Sequence, residues 1–147
     1  MQINPYLNFP GNTDLNFPGN TEEAFEFYRT VFGGEFSDVM RFKDMPADDE
    51  MSLPPEDLNK IMHISLPVGS FILMGTDMLE SMGQKWQPGN NQYICLSPDD
   101  PEEARRIFST LSRGGEIEME LQEMFWNSLF GSFRDRFGIN WMIDCAL

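Results

Sequence analysis

Histidine is nearly missing from this chain, with His63 the single example in 147 residues. One imidazole is therefore all it can offer as an acid, base or ligand near neutral pH. Basic residues are scarce as well: ten Lys and Arg stand against 24 Asp and Glu, a net charge of −14. Such a field repels phosphate backbones and anionic lipid head groups, which excludes nucleic acid and an anionic membrane surface as partners. No stretch approaches the roughly 18 apolar residues of a bilayer span, and the opening MQINPYLNF lacks the basic and apolar blocks of a signal peptide. A soluble cytoplasmic protein is the expectation. Two cysteines, Cys95 and Cys145, are too few for a disulfide scaffold, and their apolar, strand-like surroundings predict buried thiols. What is present is 41% hydrophobic residues, enough for one compact unit of ordinary size.

A long-period echo organises the chain. Asn20-Thr21-Glu22-Glu23-Ala24 returns 80 positions later as Asp100-Pro101-Glu102-Glu103-Ala104. Ala24, Phe27, Tyr28 and Val31 then match Ala104, Ile107, Phe108 and Leu111, the spacing of an amphipathic helix. Asn20 and Asp100 are placed as N-caps, Glu23 and Glu103 at the third helical position, and Pro101 in the first turn. Gly33-Gly34 and Gly114-Gly115 predict helix ends with positive φ.

Extended segments follow each helix, near 35–43, 60–67 and 70–77 in the first half and near 116–121, 128–135 and 139–146 in the second. Glu116, Glu118 and Glu120 alternate with Ile117, Met119 and Leu121, predicting a strand with one face in water and one in a core. Strands before the helices, at 3–9 and 92–97, make the order βαβββ twice. One domain over 1–147 then holds a first module at 1–77, a linker at 78–90 with Gly83, Pro88 and Gly89 as breakers, and a second module at 91–147.

A shorter repeat sits inside the first module. Leu7-Asn8-Phe9-Pro10-Gly11-Asn12-Thr13 recurs unchanged as Leu15-Asn16-Phe17-Pro18-Gly19-Asn20-Thr21, so 7–14 and 15–22 read as a tandem octet, natural or engineered. An even shift leaves every strand side chain on its original face, so two registers compete. The first copy is expected to keep the strand while the surplus forms a protruding loop; the rival has the second copy in the strand and residues 1–12 displaced.

A doubled βαβββ unit of this size resembles the vicinal-oxygen-chelate superfamily of glyoxalases, bleomycin-resistance proteins and extradiol dioxygenases, and more narrowly its PhnB-like branch. Asn4-Pro5-Tyr6-Leu7 leading into Phe-Pro-Gly-Asn, the helix from Glu23 to Gly34, Met62-His63-Ile64 and Leu73-Met74-Gly75-Thr76-Asp77 carry the likeness. Phe125-Trp126-Asn127-Ser128-Leu129-Phe130-Gly131 and Asp135-Arg136-Phe137-Gly138-Ile139-Asn140-Trp141 are its most specific parts. The resemblance implies an α+β fold of paired βαβββ modules, mixed sheets curved around a cavity with helices outside, and a homodimer. It also implies that any divalent metal is held by His, Gln or Glu from the first and last strands of each unit. The matching stretches, 4–8, 72–77, 92–97 and 140–145, contain no histidine or glutamate, and only Asp77, Gln92 and Asp144 offer strong side-chain oxygens. No metal ligand is assigned, and a tight transition-metal site is not expected.

Candidate residues divide by role. His63 shares a strand face with Ile61 and Ser65 and is either a hydrogen-bonded strand residue or, as the resemblance implies, a cavity-lining catalytic group. Asp77, at a strand end, is expected at the rim, either solvated or a general base once desolvated. Phe125, Trp126, Phe130 and Trp141, with Phe133 and Phe137, form a dense aromatic set that is either core or the wall of a ligand pocket. Arg134 is placed to meet a substrate carboxylate or phosphate, or to pair with Asp135 or Asp144. Eleven methionines suit an adaptable apolar lining or interface. The favoured reading is a small-molecule binding protein with an aromatic cavity. The alternatives are a metal-dependent enzyme of lyase, isomerase or dioxygenase type and a chain whose duplicated octet was inserted to study folding.

Overall fold

Each half of the chain builds one four-stranded mixed sheet and lays one helix on it, in a computed structural model that describes residues 1–11, 19–46 and 52–147. Two compact units result, Met1–Gln87 and Pro88–Leu147. The first contains β1 (Tyr6–Pro10), α1 (Asn20–Phe32), β2 (Asp38–Arg41), β3 (Ile61–Val68) and β4 (Phe71–Met78) in the sheet order β1-β4-β3-β2. The second contains β5 (Ile94–Leu96), α2 (Pro101–Leu111), β6 (Glu116–Met124), β7 (Ser128–Arg134) and β8 (Asn140–Ala146) in the same relative order, β5-β8-β7-β6. In both, the first strand runs parallel to the last and the remaining pairs are antiparallel. The expected doubled βαβββ order is thus observed, and the fold is α+β.

The helices form because one stripe of each is apolar and has a sheet to cover. On α1 the buried residues are Thr21, Ala24, Phe25, Tyr28 and Val31, with Phe25 in the place that the spacing gave to Phe27. On α2 they are Ala104, Ile107, Phe108 and Leu111, as expected. Each fully buried aromatic or aliphatic side chain contributes about 1.5–3 kcal/mol. A glycine under each helix lets an aromatic ring reach the sheet. A Cβ on Gly75 would lie 2.6 Å from Phe25, and one on Gly131 would lie 2.8 Å from Phe108.

The helix ends correct two expectations. Asp100 caps α2, accepting from the Glu103 N–H at 3.1 Å, with Pro101 in the first turn. By contrast, α1 has Gly19 at its N-cap and no side-chain cap of its own; Asn20 is already helical. Asp77 of β4 supplies the missing acceptor, taking the Thr21 N–H at 3.1 Å and the Thr21 hydroxyl at 2.7 Å. Its carboxylate lies where a Cβ on Gly19 would have to go, which explains glycine there. Gly33 and Gly34 have φ of 76° and 82° as expected, whereas α2 stops at Leu111 and only Gly114 takes positive φ. Gly115 instead lies against the Arg134 carbonyl with no room for a side chain.

Strand β6 differs from its expectation too. Ile117 and Met119 remain 42% and 38% exposed, because β6 is an edge strand and α2 packs on β7 and β8. Cys145 is buried as expected, but Cys95 is exposed, and both thiols are free. Strand β1 is formed by the first copy of the octet, and α1 starts within the second. The loop expected between them falls on residues 12–18, outside the described residues. No helix among the described residues is long and apolar enough to cross a membrane.

Opposed carboxylate shifts set the acid response. Arg41 holds Glu22 below the usual glutamate range, and Arg106 does the same for Glu103. Burial works to raise Asp57, but hydrogen bonds from Lys60 and Ser81 and the Lys60 charge outweigh it and leave the carboxyl low. Asp77 goes the other way: burial raises it, more than its bonds to Thr21 and Ile61 lower it. The lowered groups add stability above their unfolded values, about 4, that is lost as pH falls through their folded values. Asp77 adds stability below its unfolded value, about 3.9, that is lost as pH rises through its higher folded one. Asp77→Asn removes that gain, so its stability is expected to fall more steeply than that of the parent between pH 7 and 4. Urea midpoints at both pH values measure this, and parallel declines would contradict it.

Candidate functional site

Side chains alternate across each sheet, so one face meets the helix and the other does not. In the first unit Phe9 packs edge-on against Phe25 of α1, 6.2 Å between centroids, and fixes the helix-covered face. Tyr6, paired with Met74, and Asn8, paired with Thr76, therefore point to the helix-free face, together with Ser65, the β3 partner of Met74. His63, two residues from Ser65, joins them.

These residues form a hydrogen-bonded group. His63 Nδ1 lies 3.1 Å from Tyr6 Oη, and Nε2 lies 2.8 Å from Ser65 Oγ. The Asp38 carboxylate is 3.9 Å from Nε2. Either hydroxyl can donate or accept, so one ring nitrogen receives a proton as the other gives one. Burial raises the Tyr6 hydroxyl, partly offset by a hydrogen bond with Thr76. The arrangement positions a proton-exchanging chain on the helix-free face of the first sheet. Tyr6 and Ser65 are functional candidates that sequence reasoning missed. Ser65 was within reach through the i, i+2 rule, whereas Tyr6 depends on the β1–β4 pairing.

Asp77 is not the rim carboxylate that its strand-end position suggested. It is buried on the helix-covered face, with Thr21 on Oδ1 and the Ile61 N–H on Oδ2 at 2.8 Å. Nearby, Lys60 and Asp57 form a buried ion pair at 2.6 Å. The structure therefore places His63 and Asp77 on opposite faces of one sheet and does not bring them together.

The aromatic set of the second unit also separates by face. Phe133 meets Phe108 of α2 at 5.1 Å, and Trp141 is fully buried on the same side, its indole N–H donating to Asp135 Oδ2 at 2.8 Å. Asp135 Oδ1 accepts from the Phe137 and Ile139 N–H groups at 2.8 and 3.0 Å, closing the β7–β8 turn. Trp141 is thus committed to the core, away from any helix-free ligand wall. Phe130, one residue from Gly131, points to the helix-free face. Trp126, in the β6–β7 turn where Asn127 has φ of 64°, lies edge-on to it at 5.8 Å. Phe125 in turn meets Trp126 at 4.8 Å. Trp126 is 44% exposed and Phe125 95%.

Arg134 pairs with neither carboxylate proposed for it. Its Nε donates to Asn140 Oδ1 at 3.2 Å, and Asn140 Nδ2 donates to the Gly89 and Gln92 carbonyls at 2.9 and 3.2 Å. Asp144, the cross-strand partner of Phe130, lies on the same face, as does Cys95, the partner of Met142.

His63 has both ring nitrogens engaged by hydroxyls, and among the described residues no three His, Cys, Asp or Glu side chains converge. The described residues do not fit a tightly held divalent ion.

Comparison with known proteins agrees with this architecture. The model of the glyoxalase/bleomycin resistance protein/dioxygenase superfamily matches residues 16–143. Protein YjdN of Escherichia coli (strain K12) is 31% identical over 150 residues, covering 98% of this chain and 95% of that protein. The crystal structure of PA1353 from Pseudomonas aeruginosa is 37% identical, with a TM-score of 0.81 over 99% of this chain and 98% of that one. A PhnB protein from Bacillus cereus shares the fold at 20% identity, with a TM-score of 0.74 over 99% of this chain and 100% of that one.

Proposed function

Because the chain belongs to the glyoxalase/bleomycin resistance protein/dioxygenase superfamily, we propose that it binds a small organic molecule on the helix-free face of its second sheet without a tightly held metal. The observation that carries this reading is the exposed Trp126 set edge-on against the half-buried Phe130, rings 5.8 Å apart and left outside the core while Trp141 and Phe133 fill it. Exposed tryptophan is costly to keep in water, and rings offered edge to face are what flat ligands stack on. Arg134, on the same sheet face, supplies a polar contact of the kind that fixes orientation.

Trp126→Ala is expected to weaken the binding of flat aromatic probes at least tenfold while leaving the unfolding midpoint within a few degrees. Calorimetric titration of parent and variant measures it, and equal affinities would remove the reading. Metal separates the second reading, a divalent-ion enzyme using His63. Elemental analysis of chelator-free protein is expected to show substoichiometric Ni, Zn, Mn and Fe, with no several-degree thermal shift on adding them. Stoichiometric metal would favour the enzyme.

A further inference from the structure

We propose that Asp144 is the anchor for a cationic group on the bound molecule, so that the ligand of the Trp126–Phe130 face is an aromatic amine or a similar organic cation; the proposal rests on the binding reading above. Among the described residues, Asp144 Oδ1 is the buried side-chain oxygen that has no hydrogen-bond partner. Native structures rarely leave a carboxylate oxygen without water or donor, since the desolvation cost is about 1–3 kcal/mol and larger for a charged group.

Its surroundings supply no compensation. Along β8 the alternating Trp141, Ile143 and Cys145 are fully buried, which turns Asp144 to the helix-free face beside Phe130 of β7. A titratable neighbour on that face is Cys95, whose thiol is held above its ordinary value by partial burial and by the Asp144 charge, so it stays neutral. Arg134, the basic side chain of this face, donates to Asn140 instead. Asp144 forms no ion pair among the described residues.

The side chain as a whole is only half-buried. Rotation about χ2 exchanges its two oxygens, so a ligand can reach the carboxylate from the open side. A carboxyl oxygen left without a donor next to an aromatic ring selects a molecule carrying a protonated nitrogen close to a flat body. The net charge of −14 draws cations to the surface generally, but only the local geometry requires the aromatic part.

The test uses three probes of matched shape: 2-phenylethylamine, 2-phenylethanol and 3-phenylpropanoate, titrated calorimetrically into the intact protein at about 0.5 M salt to screen the general field. The amine is expected to bind at least tenfold tighter than the alcohol, and the carboxylate weakest. Asp144→Asn should bring the amine down to the alcohol while leaving the alcohol unchanged. Equal binding of amine and alcohol by the parent overturns the proposal, as it would if a water molecule satisfied Oδ1, and that comparison stands even where the variant fails to fold. An amine preference that survives in a folded Asp144→Asn protein overturns it as well. Binding of the alcohol without an amine preference leaves the aromatic face intact and removes only the cation; no binding by any probe removes both.

Discussion

Replacing Asp77 by alanine is expected to destabilise the protein by about 3–5 kcal/mol. The carboxylate accepts the Thr21 N–H, the Thr21 hydroxyl and the Ile61 N–H, and it is fully buried. Alanine would leave these donors facing a small cavity, at about 1–3 kcal/mol for each group that water cannot reach. Against a typical total of about 5–15 kcal/mol, that is a large fraction. The melting temperature should fall by about 10 °C for a chain of this length. Thr21→Ala removes only the hydroxyl and should cost about 1 kcal/mol. The two changes share a partner, so urea unfolding of the double variant should show costs well short of additive. Additive costs, or an Asp77→Ala loss below 1 kcal/mol, would mean that α1 is held by something other than this cross-sheet cap.

Trp141 should rival Asp77 in effect. Trp141→Ala empties the largest fully buried side-chain site among the described residues, at about 3–5 kcal/mol. Trp141→Phe retains most of the volume but takes the indole donor from Asp135 Oδ2, at about 1–3 kcal/mol. Probe binding to the folded Trp141→Phe protein should match that of the parent, because the ring lies on the helix-covered side. Calorimetry on that variant checks this: loss of binding with an unchanged fold would return Trp141 to the ligand wall.

These two positions also show how far the sequence could be read. Element order followed from periodicity and capping chemistry, because Glu-Glu-Ala helices and Gly-Gly stops report local backbone preference. Asp100 could be recognised as a cap because it lies three residues from its partner, Glu103. The cap of α1 could not, since Asp77 lies 56 residues from Thr21 and only the parallel β1–β4 pairing brings them together. Trp141 and Trp126 look alike in a list of aromatics. Their separation depends on which strand face meets α2, and Gly131 under Phe108 was the available clue. The exposure of Ile117 and Met119 was hidden for the same reason: alternation names two faces but not whether a helix covers either.

The junction between β1 and α1 has a further consequence. Gly11 N–H bonds to the Met78 carbonyl at 3.0 Å, and Gly19 abuts the carboxylate of Asp77, the preceding residue. The chain therefore leaves the first strand and enters the helix at adjacent points of β4, like a cord tied at both ends to one post. Closing a longer cord between the same ties costs little more, since each doubling of length adds about 0.6 kcal/mol. Where the helix begins is thereby set by β4 itself, through Met78 and Asp77, and not by the number of residues that precede it.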